Sequence, residues 1–78
     1  MKPQEILEEI LKSFVRHPED IKVERKVDEM GVLLEIEANQ EDKGMIIGSK
    51  GSTINAIKKI LRAVGLKNRE RISIRIKQ

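Results

Sequence analysis

Two glycines three positions apart, Gly48 and Gly51, enclose a serine and a lysine. The stretch reads Ile46-Ile47-Gly48-Ser49-Lys50-Gly51-Ser52-Thr53-Ile54-Asn55-Ala56-Ile57. Glycine lacks a Cβ, so each can turn the backbone through positive φ and let another chain come close. The helix predicted from Ser52 aims its free N–H groups and the positive end of its dipole at the same spot. A phosphate suits that place, and Lys50 adds a flexible point charge. The pattern is not a nucleotide-hydrolysing P-loop, which needs Gly directly before Lys and Ser or Thr directly after it. Here Ser49 precedes Lys50 and Gly51 follows. A P-loop also follows a strand, whereas this loop follows a helical stretch. The bland alternative is a tight turn between two helices, and it stays open on the glycines alone.

Charge distribution favours the phosphate reading. Met1–Asp42 holds 6 Lys and Arg against 12 acids, a net of −6, while Lys43–Gln78 holds 10 against a single acid, a net of +9. A segment this basic calls for an anionic partner, and nucleic acid is the usual one. Lys43, Lys58, Lys59 and Arg62 follow or flank the loop and extend its attraction. They equally describe a solvated helix face, as Arg71, Arg75 and Lys77 describe the exposed face of a strand. Phe14 is the only aromatic residue, which argues against a module that stacks bases on rings. Cysteine is absent and His17 is the sole histidine. Thiolate chemistry, disulfides and a histidine-built zinc site are thereby excluded. The acids Asp28, Glu29, Glu35 and Glu37 have no nucleophile or positioned base beside them, so no enzyme chemistry and no cofactor are expected. No apolar run approaches the ~18 residues of a membrane span. The first residues lack a secretory leader, so a cytoplasmic protein is expected.

The elements that must hold the loop can be read from periodicity. With 78 residues the chain makes one domain. Pro3 suits a helix's first position, and Ile6, Leu7, Ile10, Leu11, Phe14 and Val15 follow at helical spacing up to the stop at His17-Pro18. Ile21, Val23 and Val27 alternate with charges as a strand, then Asp28-Glu29-Met30-Gly31 turns. Val32, Leu34, Ile36 and Ala38 form a second strand, with Leu33, Glu35 and Glu37 on its solvent face. Asn39 caps a short helix with acids in its first turn. After the loop, Ile54, Ile57, Leu61 and Val64 mark a longer helix with Gly65 as its predicted C-cap. Ile72, Ile74 and Ile76 alternate in a last strand. The order α-β-β-α-α-β predicts an α+β domain with three helices on one face of a three-stranded sheet. The helical crossover makes the second and third strands parallel and the sheet mixed.

The Ile-Gly-x-x-Gly-x-x-Ile run, in this element order, resembles the KH domain in its type II, bacterial arrangement. The whole of residues 1–78 is covered as a single KH domain, similar to the small stand-alone bacterial KH proteins of the KhpA type. The resemblance implies a single-stranded RNA-binding module, an RNA chaperone or post-transcriptional regulator. It implies that Gly48, Ser49, Lys50 and Gly51 clamp the backbone of about four nucleotides. Gly44, Ile47 and Ile54 then lie beside an apolar groove for bases, and Lys58 stands on the loop side of the following helix. A larger KH-containing partner protein and a homodimer are further expectations. The alternative is a KH-fold protein–protein adaptor with little or no nucleic-acid binding.

Overall fold

Alternating isoleucine, leucine and valine on three strands leaves one sheet face apolar, and the helices cover that face. The computed structural model describes residues 1–78. It contains α1 (Pro3–Lys12), β1 (Lys22–Asp28), β2 (Gly31–Glu37), α2 (Lys43–Ile47), α3 (Ser52–Lys67) and β3 (Ile72–Ile76). The strands lie in the order β1-β2-β3. β1 pairs antiparallel with β2, with Val23 opposite Ile36; β2 pairs parallel with β3, with Leu34 opposite Ile74. The predicted α-β-β-α-α-β order and mixed sheet are both present. Leu7 and Leu11 of α1, Ile46 of α2, and Ile54, Ile57 and Leu61 of α3 are buried with Val23, Val32, Leu34, Ile36, Ile72 and Ile74 of the sheet. No helix is long and apolar enough to cross a membrane.

The first helix stops earlier than its apolar spacing predicts. It ends at Lys12 rather than at His17-Pro18, with Ser13 as its cap. The Ser13 hydroxyl donates to the Ile10 carbonyl at 2.6 Å, competing with the helical ladder. A second anchor holds the chain beyond it. The carboxylate of Asp42, fully buried, accepts the Arg16 N–H at 3.2 Å and the His17 N–H at 2.9 Å. These bonds draw Arg16-His17 against the start of α2 and away from a helical course.

Gly65 also departs from its predicted role. α3 runs on to Lys67, and the residue in the left-handed region beyond it is Arg69, with φ 58°. Gly65 is instead buried where β3 begins. A Cβ there would meet the Glu70 carbonyl oxygen at 2.7 Å and Ile72 Cδ1 at 2.9 Å. Gly65→Ala gains up to about 1 kcal/mol of helix propensity, but it overpacks a backbone contact at a cost of about 1–3 kcal/mol. We expect a net loss of stability by denaturant titration. A more stable variant would contradict this packing.

The solvent face of the sheet differs in one residue. Glu37 is exposed as predicted, whereas Glu35 is 7% exposed. Its carboxylate accepts from Arg75 Nη2 at 2.6 Å and Nε at 3.1 Å, and from Lys26 Nζ at 3.1 Å. Register places Arg75 directly opposite and Lys26 diagonally across, and their long side chains cover the acid. The Arg75 hydrogen bond, then that of Lys26, holds the Glu35 carboxyl below its ordinary range. The folded state thus releases this proton more readily than the unfolded state, and stability rises with pH through that window. The contribution is complete above the unfolded value of about 4.3 and is lost as pH falls through the lower folded value. Glu35→Gln should lower the melting temperature at neutral pH, with the gap to the parent chain closing as pH falls below about 4. A gap unchanged down to about pH 2 would assign the effect to packing instead of charge.

Candidate nucleic-acid interface

Local capping sets where the loop begins. Asn39 Oδ1 accepts the Glu41 N–H at 2.9 Å and starts a single 3-10 turn over Gln40–Asp42. α2 follows for five residues and closes with the Gly48 N–H on the Gly44 carbonyl at 2.9 Å. Gly48 then leaves the helix at φ 76°, ψ 174°. The chain reverses within four residues, and the Gly51 N–H donates back to the Gly48 carbonyl at 3.1 Å. Gly51 sits at φ 76° and leads into α3.

The two glycines are needed for different reasons. A Cβ on Gly48 would collide with the Thr53 side chain and lie 2.8 Å from the Thr53 backbone nitrogen. Gly48 therefore requires both its dihedral and the missing side chain. Gly51 requires only the dihedral, since a Cβ there would meet Asn55 Nδ2 at an ordinary 3.6 Å. Lys50 is a third left-handed residue, at φ 55°, ψ 27°, a conformation that costs a side-chain-bearing residue about 1–2 kcal/mol. The glycine spacing did not reveal this strain. It turns Lys50 outward between the glycines, where Ser49 and Lys50 are both exposed. No acid pairs with Lys50. No side chain caps the amino end of α3. The positive dipole end of α3, uncapped by any side chain, and a free ammonium thus share one exposed corner.

The other predicted site residues divide into three positions. Gly44 lies on α2, one turn before Gly48, with open space where its Cβ would be. Its φ does not demand glycine, so the fold does not require glycine here. Ile47, the last residue of α2, is 42% exposed. Ile54 is 9% exposed and belongs to the core. Lys58, half-buried, faces β3 one turn further along α3. With Arg62, Ile72, Ser73 and Ile74 it lines a concavity of about 170 Å³. The sequence alone gives Arg62 a longer-range attraction; the fold brings it into this concavity with the strand residues. The i, i+4, i+8 stripe Ile54-Lys58-Arg62 was the available signal.

Charge around the site is almost uncompensated. Glu70 is the only acid after Asp42, and it is occupied by Arg25, with Nη2 at 2.5 Å from Oε2. That hydrogen bond holds Glu70 below the ordinary carboxylate range. The grouping nearest to metal-ligand chemistry is His17, Glu19 and Asp20, whose ligand atoms lie within 4.8 Å of one another. Both acids are exposed, and Asp20 already accepts from Asn39 Nδ2 at 3.0 Å.

The sequence profile of the KhpA/KhpB KH domain matches residues 4–76. The chain belongs to this KH family. Similar proteins include "RNA-binding protein KhpA" of Clostridium perfringens, 33% identical over 73 residues, which span 94% of this chain and 97% of that one. The protein of the same name from Thermotoga maritima is 41% identical over 61 residues, covering 78% and 81%. Among solved structures, a variant of Era from Aquifex aeolicus superposes with a TM-score of 0.59 at 22% identity. The match covers 95% of this chain but 29% of that protein, and it shows the fold alone. The matched residues include the Gly48–Gly51 turn together with α2, α3 and β3 around it.

Proposed function

We propose that this KH domain binds single-stranded RNA, clamping the backbone at Gly48-Ser49-Lys50-Gly51 and seating bases between α3 and β3. One observation carries the reading: three positive-φ residues bring a helix N-terminus without a side-chain cap and an unpaired lysine to one exposed corner, at the start of the helix whose Lys58 and Arg62 line the groove. A phosphate at the loop meets backbone N–H groups and Lys50. A base entering the groove meets Ile72 and Ile74 from one side and the stem of Lys58 from the other. Ile47 and the bare surface of Gly44 border the strand's path. The relatives' name, RNA-binding protein, supports the same reading. Its cellular use follows as RNA chaperoning or post-transcriptional regulation in the cytoplasm. The family's description names two kinds of KH protein, and we infer a larger KH-containing protein or a second copy of this chain as its protein partner.

Fluorescence anisotropy with single-stranded and duplex RNA of one sequence tests the groove. Single strands should bind more tightly, because bases must leave a stack to enter a narrow groove. Duplex binding of equal strength would reduce the site to a basic patch. With a four-nucleotide strand, log K against log salt should fall with a slope of about −2 to −3, at about −0.7 per phosphate neutralised. No measurable RNA binding would leave the KH-fold adaptor as the function.

A further inference from the structure

Beyond the groove, α3 ends in a second cluster of cations. Arg62 and Leu66 of α3, with Arg69, Glu70 and Arg71 of the following turn, line a concavity of about 320 Å³. Arg62 lines this concavity and the Lys58 groove alike, so the two adjoin. None of Arg62, Arg69 and Arg71 makes an ion pair. The one acid present, Glu70, is held by Arg25 instead. Leu66 stands 76% exposed among them. Arg69 occupies the left-handed position after the helix, φ 58°, where glycine is the cheaper residue. The Glu70 N–H to the Gly65 carbonyl, at 2.7 Å, and the Val32 N–H to the Arg71 carbonyl, at 2.8 Å, hold this turn in place.

We propose that this cluster is a second backbone-binding site for the same RNA strand, engaged only by strands longer than the loop clamps. The inference rests on the loop reading above. Charge complementarity and continuity with the groove commit the occupant: a polyphosphate chain leaving the Lys58 groove passes Arg62 and meets two further unpaired guanidinium groups. Arginine suits the place, since its planar fork binds a phosphate bidentately and stacks on a base. Leu66 gives a base an apolar ledge. Length decides which strands reach it. The 16 residues of α3 span about 24 Å at about 1.5 Å per residue. Four nucleotides stacked at about 3.4 Å cover about 10 Å from first to last, and eight cover about 24 Å. A tetramer held at the loop stops near Lys58, about 9 Å along the helix, and an octamer reaches its far end beside Arg69 and Arg71.

The experiment compares an RNA tetramer and an octamer, by calorimetry or anisotropy, on the parent chain and on Arg69→Gln/Arg71→Gln. Arg62 stays, because it also serves the groove. The double variant should lose about tenfold on the octamer and less than about twofold on the tetramer. The parent's salt slope should steepen from about −2 or −3 on the tetramer to about −4 on the octamer, and the variant's should not. Arg69→Lys/Arg71→Lys keeps the charge and should retain most of the octamer affinity. Melting temperatures taken on the same samples tie any loss to binding rather than unfolding. Equal losses on both lengths, or none, overturn the proposal and leave the loop reading intact. If the parent binds neither strand, the loop reading fails and the proposal with it. Binding of a polyglutamate peptide that depends on Arg69 and Arg71, with no length effect on RNA, would assign the cluster to an acidic protein segment instead.

Discussion

Replacing both Ser49 and Lys50 with aspartate should leave the fold intact and lower RNA affinity at least about tenfold, a loss of about 1.4 kcal/mol. Both side chains are exposed, and exposed substitutions usually move stability by under about 0.5 kcal/mol. The turn depends chiefly on Gly48 and Gly51, which stay. Lys50 itself sits in the left-handed region, and aspartate tolerates that region better than lysine. Acids near the amino end of α3 also complement its dipole. Stability therefore holds or rises slightly. Binding moves the other way. A phosphate would face two negative charges where it had one free ammonium, and like-charge contact at an interface costs several kcal/mol. Melting temperature and affinity measured on one sample separate the two effects. Unchanged affinity would make the loop a mere helix–helix turn and return the adaptor reading to first place.

Asp42→Ala carries the largest expected effect on stability. The carboxylate is fully buried and accepts two backbone N–H groups, from Arg16 and His17. Hydrogen bonds to a charged group contribute about 1.5–3 kcal/mol each, and removing the acceptor leaves two donors without a partner. A loss of about 3 kcal/mol is the conservative expectation. In a domain of this size, each kcal/mol shifts the melting temperature by about 4–8 °C, so a drop of at least about 12 °C follows. Asp42→Asn keeps the volume but turns an amide N–H₂ toward one of the two donors, so it should recover less than half of the loss. A drop below about 2 °C in the alanine variant would show that the anchor is dispensable. The consequence reaches the site, because Asp42 immediately precedes α2 and pins the α1–β1 connection against it.

Most of the frame was legible because it is periodic. Isoleucines two apart make β3, and isoleucine and leucine at three and four make α3. The KH signature needed only the glycine spacing and its flanking isoleucines. The same periodicity already placed Ile54 in the core stripe with Ile57 and Leu61. The structure buries it in that stripe. Element ends were less legible. Phe14 and Val15 continue the helical spacing of α1, yet they lie beyond it. Gly65 looks like a helix stop, yet it is a contact.

Local pattern along the chain set the element order, the sheet's apolar face, the positive-φ turn at Gly48 and Gly51, and the basic half that surrounds it. Each is a property of neighbours within a few positions, where propensity, alternation and glycine's freedom act directly. Tertiary structure alone decided what depends on residues far apart in the chain. Asp42 reaches Arg16 and His17 across 26 and 25 positions, Glu35 reaches Arg75 across 40, and Glu70 reaches Arg25 across 45. The same is true of the groove: Lys58 and Arg62 meet Ile72, Ser73 and Ile74 only because β3 returns parallel to β2. A charged residue's partner is set by where the backbone brings it, and no local pattern records that position.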